Sequence, residues 1–296
     1  MEFRPKLALD RGDFAALVLL DLSAAFDTVD HATLLRRLEL SYGIRGTALS
    51  WFKSYLSERT QFIRSGSTTS RPTVVRFGVP QVSVLGPILF LLYTADLLGL
   101  VARHGLRSHL YADDTQVYGF CAPRSTAALQ NQLTACVEGI GKWMSANRLQ
   151  LNASKTEILW CSSQRRVSQL SRQPFVVCES SVAPSTVVRD LGVWLDNGLT
   201  LASHITKTIA GCFAKLRQLR SIRRSLSQQP FARLVTALVL PKLDYCNGVY
   251  AGLPANQLAR LQSVLHAAAR LIYSARKRDH ITPLIQQLHW LSCPNA

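Results

Sequence analysis

What this 296-residue chain lacks most is negative charge: 18 Asp and Glu stand against 34 Lys and Arg, leaving a net charge of +16. The shortage is uneven. Residues 201–296 hold two acids and thirteen cations. An acid-poor surface of this kind favours polyanions, with nucleic acid as the first candidate and a merely basic soluble protein as the plainer alternative. The grip on a phosphate backbone is therefore expected mainly from the last third. The seven cysteines (121, 136, 161, 178, 212, 246 and 293) form no C-x-x-C pair and have no histidine partners at zinc spacing. They read as reduced, largely buried thiols, which excludes a disulfide scaffold and a zinc module. No positively charged-then-apolar stretch opens the sequence, so no secretory signal is expected, and the longest apolar run, Val84 to Ala95, is interrupted by Gly86 and Pro87 and reads as too short to span a bilayer. The expectation is an intracellular protein, nuclear or cytoplasmic, with no membrane partner. No internal repeat and no useful heptad run is present.

Apolar residues make up 48% of the chain, enough for a folded core. Phe14-Ala15-Ala16-Leu17-Val18-Leu19-Leu20 is a continuous apolar run of strand length ending at Asp21. Such a run suits a central strand covered by helices on both faces. Ser108-His109-Leu110 and Gln116-Val117-Tyr118-Gly119-Phe120 read as two strands around Tyr111-Ala112-Asp113-Asp114. Paired carboxylates at a hairpin tip repel each other, and a divalent cation relieves the repulsion; oxygen ligands suit Mg²⁺. An acidic turn is the ordinary alternative. If the first strand lies beside the hairpin, Asp21, Asp113 and Asp114 converge at one sheet end.

Longer stretches carry a resemblance. Leu20-Asp21-Leu22-Ser23-Ala24-Ala25-Phe26-Asp27-Thr28-Val29-Asp30-His31 resembles motif A of the reverse transcriptases of non-LTR (LINE-type) retrotransposons. Gly78-Val79-Pro80-Gln81-Val82-Ser83-Val84-Leu85-Gly86-Pro87 resembles their motif B, Tyr111 to Asp114 motif C, and Leu149-Gln150-Leu151-Asn152-Ala153-Ser154-Lys155-Thr156-Glu157 motif D. The likeness continues through Asp190-Leu191-Gly192-Val193-Trp194-Leu195-Asp196, Leu243-Asp244-Tyr245-Cys246-Asn247 and Arg276 to Pro283. Five motifs in order are specific where one is weak.

The resemblance implies an α+β fold: a right-hand polymerase palm, with an antiparallel sheet and helices on one face, followed by a helical thumb. It implies residues 1–13 as a remnant of the fingers, 14–161 as palm, 162–200 as a connector with a hairpin near the primer, and 201–296 as a basic thumb. The fingers are expected to be largely absent, with no endonuclease domain upstream. The implied activity is RNA-directed DNA polymerisation on an RNA template and DNA primer with dNTP substrates; the oligomeric state is left open. Asp21, Asp113 and Asp114 are the implied catalytic residues and, with the Leu22 carbonyl, the ligands of two Mg²⁺ ions, Mn²⁺ being an alternative. Phe26 is implied to lie under the incoming sugar, where a core aromatic is the other reading. Gln81 is implied to contact the nucleotide, and Lys155 to sit near the triphosphate, where a plain surface lysine is the alternative. In relatives the residue after this glutamine is glycine; here it is Val82, which suits neither a positive φ nor a close backbone approach. A catalytically inactive remnant that binds nucleic acid, and a two-metal nuclease, are the competing functions.

Elsewhere the pattern is conventional. Residues 1–13 read as an irregular loop, and Asp30 as the N-cap of a helix carrying Leu34, Leu35 and Leu38, which leaves Asp27 and Asp30 out of the metal site. Thr47 reads as the cap of a second helix. Gln61 to Arg64 and Thr73 to Phe77 read as strands, and Ser125 as the cap of a helix through Met144. Phe175 to Cys178 and Leu191 to Leu195 read as strands of one hairpin system. From Ser203 a helix is expected with Ile205, Ile209, Phe213, Leu216, Leu219 and Ile222 inward, and Lys207, Lys215, Arg217, Arg220, Arg223 and Arg224 free to meet nucleic acid.

Overall fold

The computed structural model describes residues 4–177 and 180–291, and the side chains from residue 7 onward. Cys178 and Cys293 lie outside the described residues. Two compact units divide at residues 188 and 189.

The first unit begins with a helix, α1 (Arg4–Asp10), where the sequence suggests a loop. It leads into β1 (Phe14–Leu20), which covers the apolar run. After the short β2 (Leu22–Ser23) come α2 (His31–Leu40) and α3 (Gly46–Leu56). Asp30 caps α2 as expected: its Oδ1 accepts from the Thr33 amide and hydroxyl, both at 2.8 Å. The start of α3 differs, since Arg45 occupies the cap position and no side chain closes it. Leu34, Leu38 and Leu56 are buried, each burial contributing about 1.5–3 kcal/mol.

Between the helices and motif B lies a protruding hairpin of four two-residue strands, β3 (Thr60–Gln61), β4 (Arg64–Ser65), β5 (Thr68–Thr69) and β6 (Thr73–Val74). These replace the two longer strands expected from the sequence. Next come α4 (Leu85–Thr94) and α5 (Asp96–Arg103). Together they form an apolar stretch, Leu85–Arg103, that by length and composition is long enough to cross a membrane. This is longer than the sequence pattern indicates. Leu89, Phe90, Tyr93, Leu97, Leu100 and Val101 are nonetheless core residues.

The sheet that follows is built from β7 (Arg107–Tyr111), β8 (Asp114–Cys121) and, after α6 (Thr126–Ala146) and β9 (Gln150–Leu151), β10 (Glu157–Cys161). Its order is β10-β1-β8-β7, with every pair antiparallel. The register puts Ala16, Val18 and Leu20 beside Gly119, Val117 and Thr115 on one side, and Ala16 and Val18 beside Trp160 and Ile158 on the other. All eight are buried, and α6 covers them with Leu129, Leu133, Val137, Ile140 and Met144. The approach is so close that a Cβ on Gly119 would lie 2.6 Å from Leu129 Cδ1. Leu17 and Leu19 on the opposite face are only half-buried. Ala15, Leu159 and Cys161 on that same face are buried, so the second face is closed at the Ala15 end of β1 and opens only toward Leu17 and Leu19. Ser125 precedes α6 without a capping bond.

A small hairpin, β11 (Phe175–Val177) with β12 (Ser180–Val182), closes the unit. A separate hairpin, β13 (Val187–Asp190) with β14 (Val193–Asp196), runs across the division. The single hairpin system expected from sequence is thus two. The second unit then packs α7 (Ala202–Ile222), α8 (Gln228–Asp244) and α9 (Ala255–Tyr273) around Cys212, Leu216, Leu219, Phe231, Val235, Val239, Val264, Ala268 and Ile272. A short α10 (Thr282–Gln287) ends it. Ile222, expected inside, is 41% exposed.

Candidate active site

The β1–β8 ladder ends at the pair Leu20 and Thr115, and Asp21 and Asp114 are the next residues beyond it on the two strands. On the other side of β1, Lys155 lies two residues beyond Glu157, the partner of Leu19, as Asp21 lies two beyond Leu19. Asp21 follows β1 directly and, being odd-numbered like the half-buried Leu17 and Leu19, continues their face at its open end. A central strand thus delivers one carboxylate between a second carboxylate and an ammonium. The ammonium is engaged: Lys155 Nζ stands 3.1 Å from Asp21 Oδ2. The Asp21 carbonyl accepts from the Asn152 amide at 2.9 Å, fixing the motif D loop beside it.

Asp113 sits in the two-residue loop of the β7–β8 hairpin, between the paired Tyr111 and Asp114. The loop turns at Ala112, whose φ of 52° is unfavourable for an L-residue. Partial burial raises the Asp114 carboxyl above its ordinary value, and the charges of Asp113 and Asp21 raise it further. Asp114 is therefore within electrostatic reach of both other carboxylates named from sequence. Among the described residues no three His, Cys, Asp or Glu side chains stand close enough to form a ready-made metal cage. The donor set is all oxygen, which suits a hard cation, and Asp21 already attracts a positive group. Leu22, whose carbonyl is the remaining candidate donor, is buried and paired with Leu151.

Motif B is docked onto motif A through the backbone. Gly78 N–H donates to the Val29 carbonyl at 2.8 Å and Val79 N–H to the Phe26 carbonyl at 2.7 Å. His31 Nε2 donates to the Gly78 carbonyl at 2.8 Å. A Cβ on Gly78 would lie 2.8 Å from the Phe26 carbonyl oxygen and 2.9 Å from Asp27 Cα, so only glycine fits. Phe26 is half-buried with its ring 5.1 Å from that of Phe90. Gln81 is exposed, and its Nε2 donates to Asp27 Oδ1 at 3.0 Å. Asp27, set aside on the sequence, therefore orients the candidate nucleotide-contacting amide. Nothing in the local pattern signals this, because the partners are 54 positions apart.

Val82 adopts φ +59° and is fully exposed. The backbone takes the left-handed shape that glycine provides elsewhere, with the valine side chain clear of the protein. Ser83 Oγ then accepts from the Gly86 amide at 2.9 Å and starts α4.

In the second unit the cations named from sequence separate into different environments. Arg217, Arg220 and Arg224 are exposed and recur at spacings of three and four, along one side of the helix and the turn after it. Lys215 donates to Gln218 at 3.1 Å. Lys207 Nζ lies 3.0 Å from the Trp194 ring centroid, a cation–π contact. Arg223 is a correction. Its guanidinium donates to the carbonyls of Leu271, Leu226 and Ile272 at 3.2, 3.1 and 2.8 Å, and closes the C-terminal end of α9 rather than facing solvent.

A sequence model of the family described as reverse transcriptase (RNA-dependent DNA polymerase) matches residues 2–195. The chain belongs to the reverse transcriptase family. It is of the non-LTR retrotransposon type. It is 31% identical over 225 residues to a probable RNA-directed DNA polymerase from transposon BS of Drosophila melanogaster, covering 72% of this chain and 23% of that protein. It is 30% identical over 254 residues to the RNA-directed DNA polymerase from mobile element jockey of Drosophila funebris, covering 82% and 26% respectively. The chain thus spans about a quarter of the length of these relatives. Among solved structures, telomerase from Candida albicans aligns over 94% of this chain and 51% of its own at a TM-score of 0.47 and 10% identity, too distant to carry an inference.

Proposed function

We propose that this chain is the nucleotidyl-transfer region of an RNA-directed DNA polymerase that extends a DNA primer on an RNA template with dNTPs. The observation that carries this reading is that Asp21, directly after the central strand β1, stands 3.1 Å from Lys155 Nζ and close enough to Asp114 for its charge to raise the Asp114 carboxyl. The naming of the relatives as RNA-directed DNA polymerases supports it. Asp21, Asp113 and Asp114, with the Leu22 carbonyl, are the residues that would hold Mg²⁺, as two ions, or Mn²⁺ in its place. When bound, such ions make a hydroxyl more nucleophilic and neutralise charge on phosphate oxygens. The protein's own groups supply the rest. Lys155 places a positive charge beside Asp21, where it offsets charge on a departing pyrophosphate. Gln81, held by Asp27, orients the nucleotide, and Phe26 lies under its sugar. The exposed arginines of α7 and its C-terminal turn meet the nucleic-acid backbone.

Primer extension on an RNA template tests the reading. Extension that Asp113→Asn abolishes supports it; extension unchanged by Asp113→Asn sinks it. A second reading, a catalytically silent relative that binds nucleic acid, draws on the left-handed Val82 and on the absence of a ready-made cage among the described residues. Silence of the native chain with extension restored by Val82→Gly would favour that second reading for the native sequence.

A further inference from the structure

The hairpin between α3 and motif B is the least explained part of the first unit. Every residue from Gln61 to Val74 is exposed, so this arm packs on nothing within the unit. Its two ladders pair Thr60 with Val74 and Gln61 with Thr73, then Arg64 with Thr69 and Ser65 with Thr68. Between them one strand advances by three residues and the other by four, which is a bulge that twists the ribbon. Gly66, at φ 58°, opens the two-residue tip. Ser70 N–H donates to the Ile63 carbonyl at 2.8 Å and Ile63 N–H to Ser70 Oγ at 2.9 Å, so the arm is ordered by its own bonds.

Its chemistry is one-sided. Residues 59–77 contain Arg59, Arg64, Arg71 and Arg76 and no acid. Among the described residues none of the four guanidiniums makes a hydrogen bond or an ion pair. Interleaved with them are Phe62, Ile63, Val74 and Phe77, at 58%, 77%, 61% and 45% exposure. Exposed apolar and aromatic groups among unpaired arginines fit a strand that offers both phosphates and unpaired base faces. A protein partner would call for acids that meet the arginines, and a duplex would hide the base faces that Phe62 could stack on.

We propose that the 59–77 hairpin is a binding arm for single-stranded RNA, with Phe62 stacking on a base and Arg64, Arg71 and Arg76 contacting phosphates. The choice of RNA rests on the polymerase reading, since the unpaired strand approaching such a site is its template. The test is fluorescence anisotropy of the whole chain with a labelled oligouridylate, repeated with oligodeoxythymidylate, across a salt series. Phe62→Ala is expected to weaken RNA binding about five- to a hundred-fold. Joint Arg64→Gln, Arg71→Gln and Arg76→Gln is expected to flatten the slope of log affinity against log salt by about 2. Both variants leave the thermal transition in place, because the side chains replaced are exposed. Affinity and slope unmoved in both variants overturn the proposal, as does absence of RNA binding at low salt. Hairpin dependence with the DNA probe alone overturns the assignment to RNA. A dimer dissolved by Phe62→Ala with binding unchanged shows a self-association surface instead. Primer extension keeps the two readings apart: extension without hairpin dependence sinks this inference, and hairpin-dependent binding without extension sinks the polymerase reading.

Discussion

Val82→Gly is the perturbation with the most direct physical basis. The residue sits at φ +59° with its side chain in solvent, so truncation removes strain and no packing. A left-handed conformation costs an L-residue about 1–2 kcal/mol, and the branched Cβ places valine at the upper end. Glycine returns about 0.5–1 kcal/mol of that through the greater freedom of the unfolded chain. The net gain is about 1–1.5 kcal/mol, which for a unit of this size is a rise of about 2–6 °C in Tm. Urea titration and calorimetry following the transition of the first unit provide the assay. Val82→Ala is the control: it keeps a Cβ in the left-handed region and loses the branch, so the expected order of stability is Gly above Ala, and Ala equal to or above Val. The same substitution tests catalysis, because it returns to motif B the residue found there in relatives. A Val82→Gly protein no more stable than the native chain would refute the strain assignment, whatever its activity.

Gly78→Ala has the opposite sign. A Cβ 2.8 Å from the Phe26 carbonyl at φ +89° forces motif B off motif A, with a loss of about 2–4 kcal/mol on denaturation. Asp30→Ala should cost about 1–2 kcal/mol at neutral pH by uncapping α2 and releasing Arg148, which is 3.0 Å away. Burial pushes the Asp30 carboxyl up, but the Thr33 amide and hydroxyl, Arg148 and His31 together leave it below its ordinary value of 3.8. That stabilisation is therefore complete above pH about 3.8 and is lost as pH falls through the lower folded value, so native and Asp30→Ala stabilities should converge in acid. Lys155→Met removes the cation beside Asp21, and the rise in Tm on adding Mg²⁺ should be larger than in the native chain; an identical rise would mean that Lys155 does not compete for the site. Arg37→Met should cost about 2–4 kcal/mol, because the guanidinium donates to the Tyr93 carbonyl and, at 2.6 Å, to Asn147 Oδ1. Thermal denaturation that leaves this variant unchanged would show those bonds to be dispensable.

By itself the sequence determined the family, the Asp30 cap and strand β1 to the residue, because each is written in consecutive positions or in a spacing that one element repeats. The left-handed turn at Val82 was legible too, as a conflict between residue type and motif. What only tertiary structure decided are relations between distant positions. An apolar run cannot say how far each face is covered; that depended on α6 packing against Gly119 on one face and on the only partial cover over Leu17 and Leu19 on the other. The Asp27–Gln81 bond spans 54 positions, and the inward turn of Arg223 depends on where α9 ends, so neither side chain's role has a local signature. The hairpin at 59–77 shows the same division. Its residues read as strand, but whether those strands would be buried or left standing in solvent was settled by what the rest of the chain brought near them.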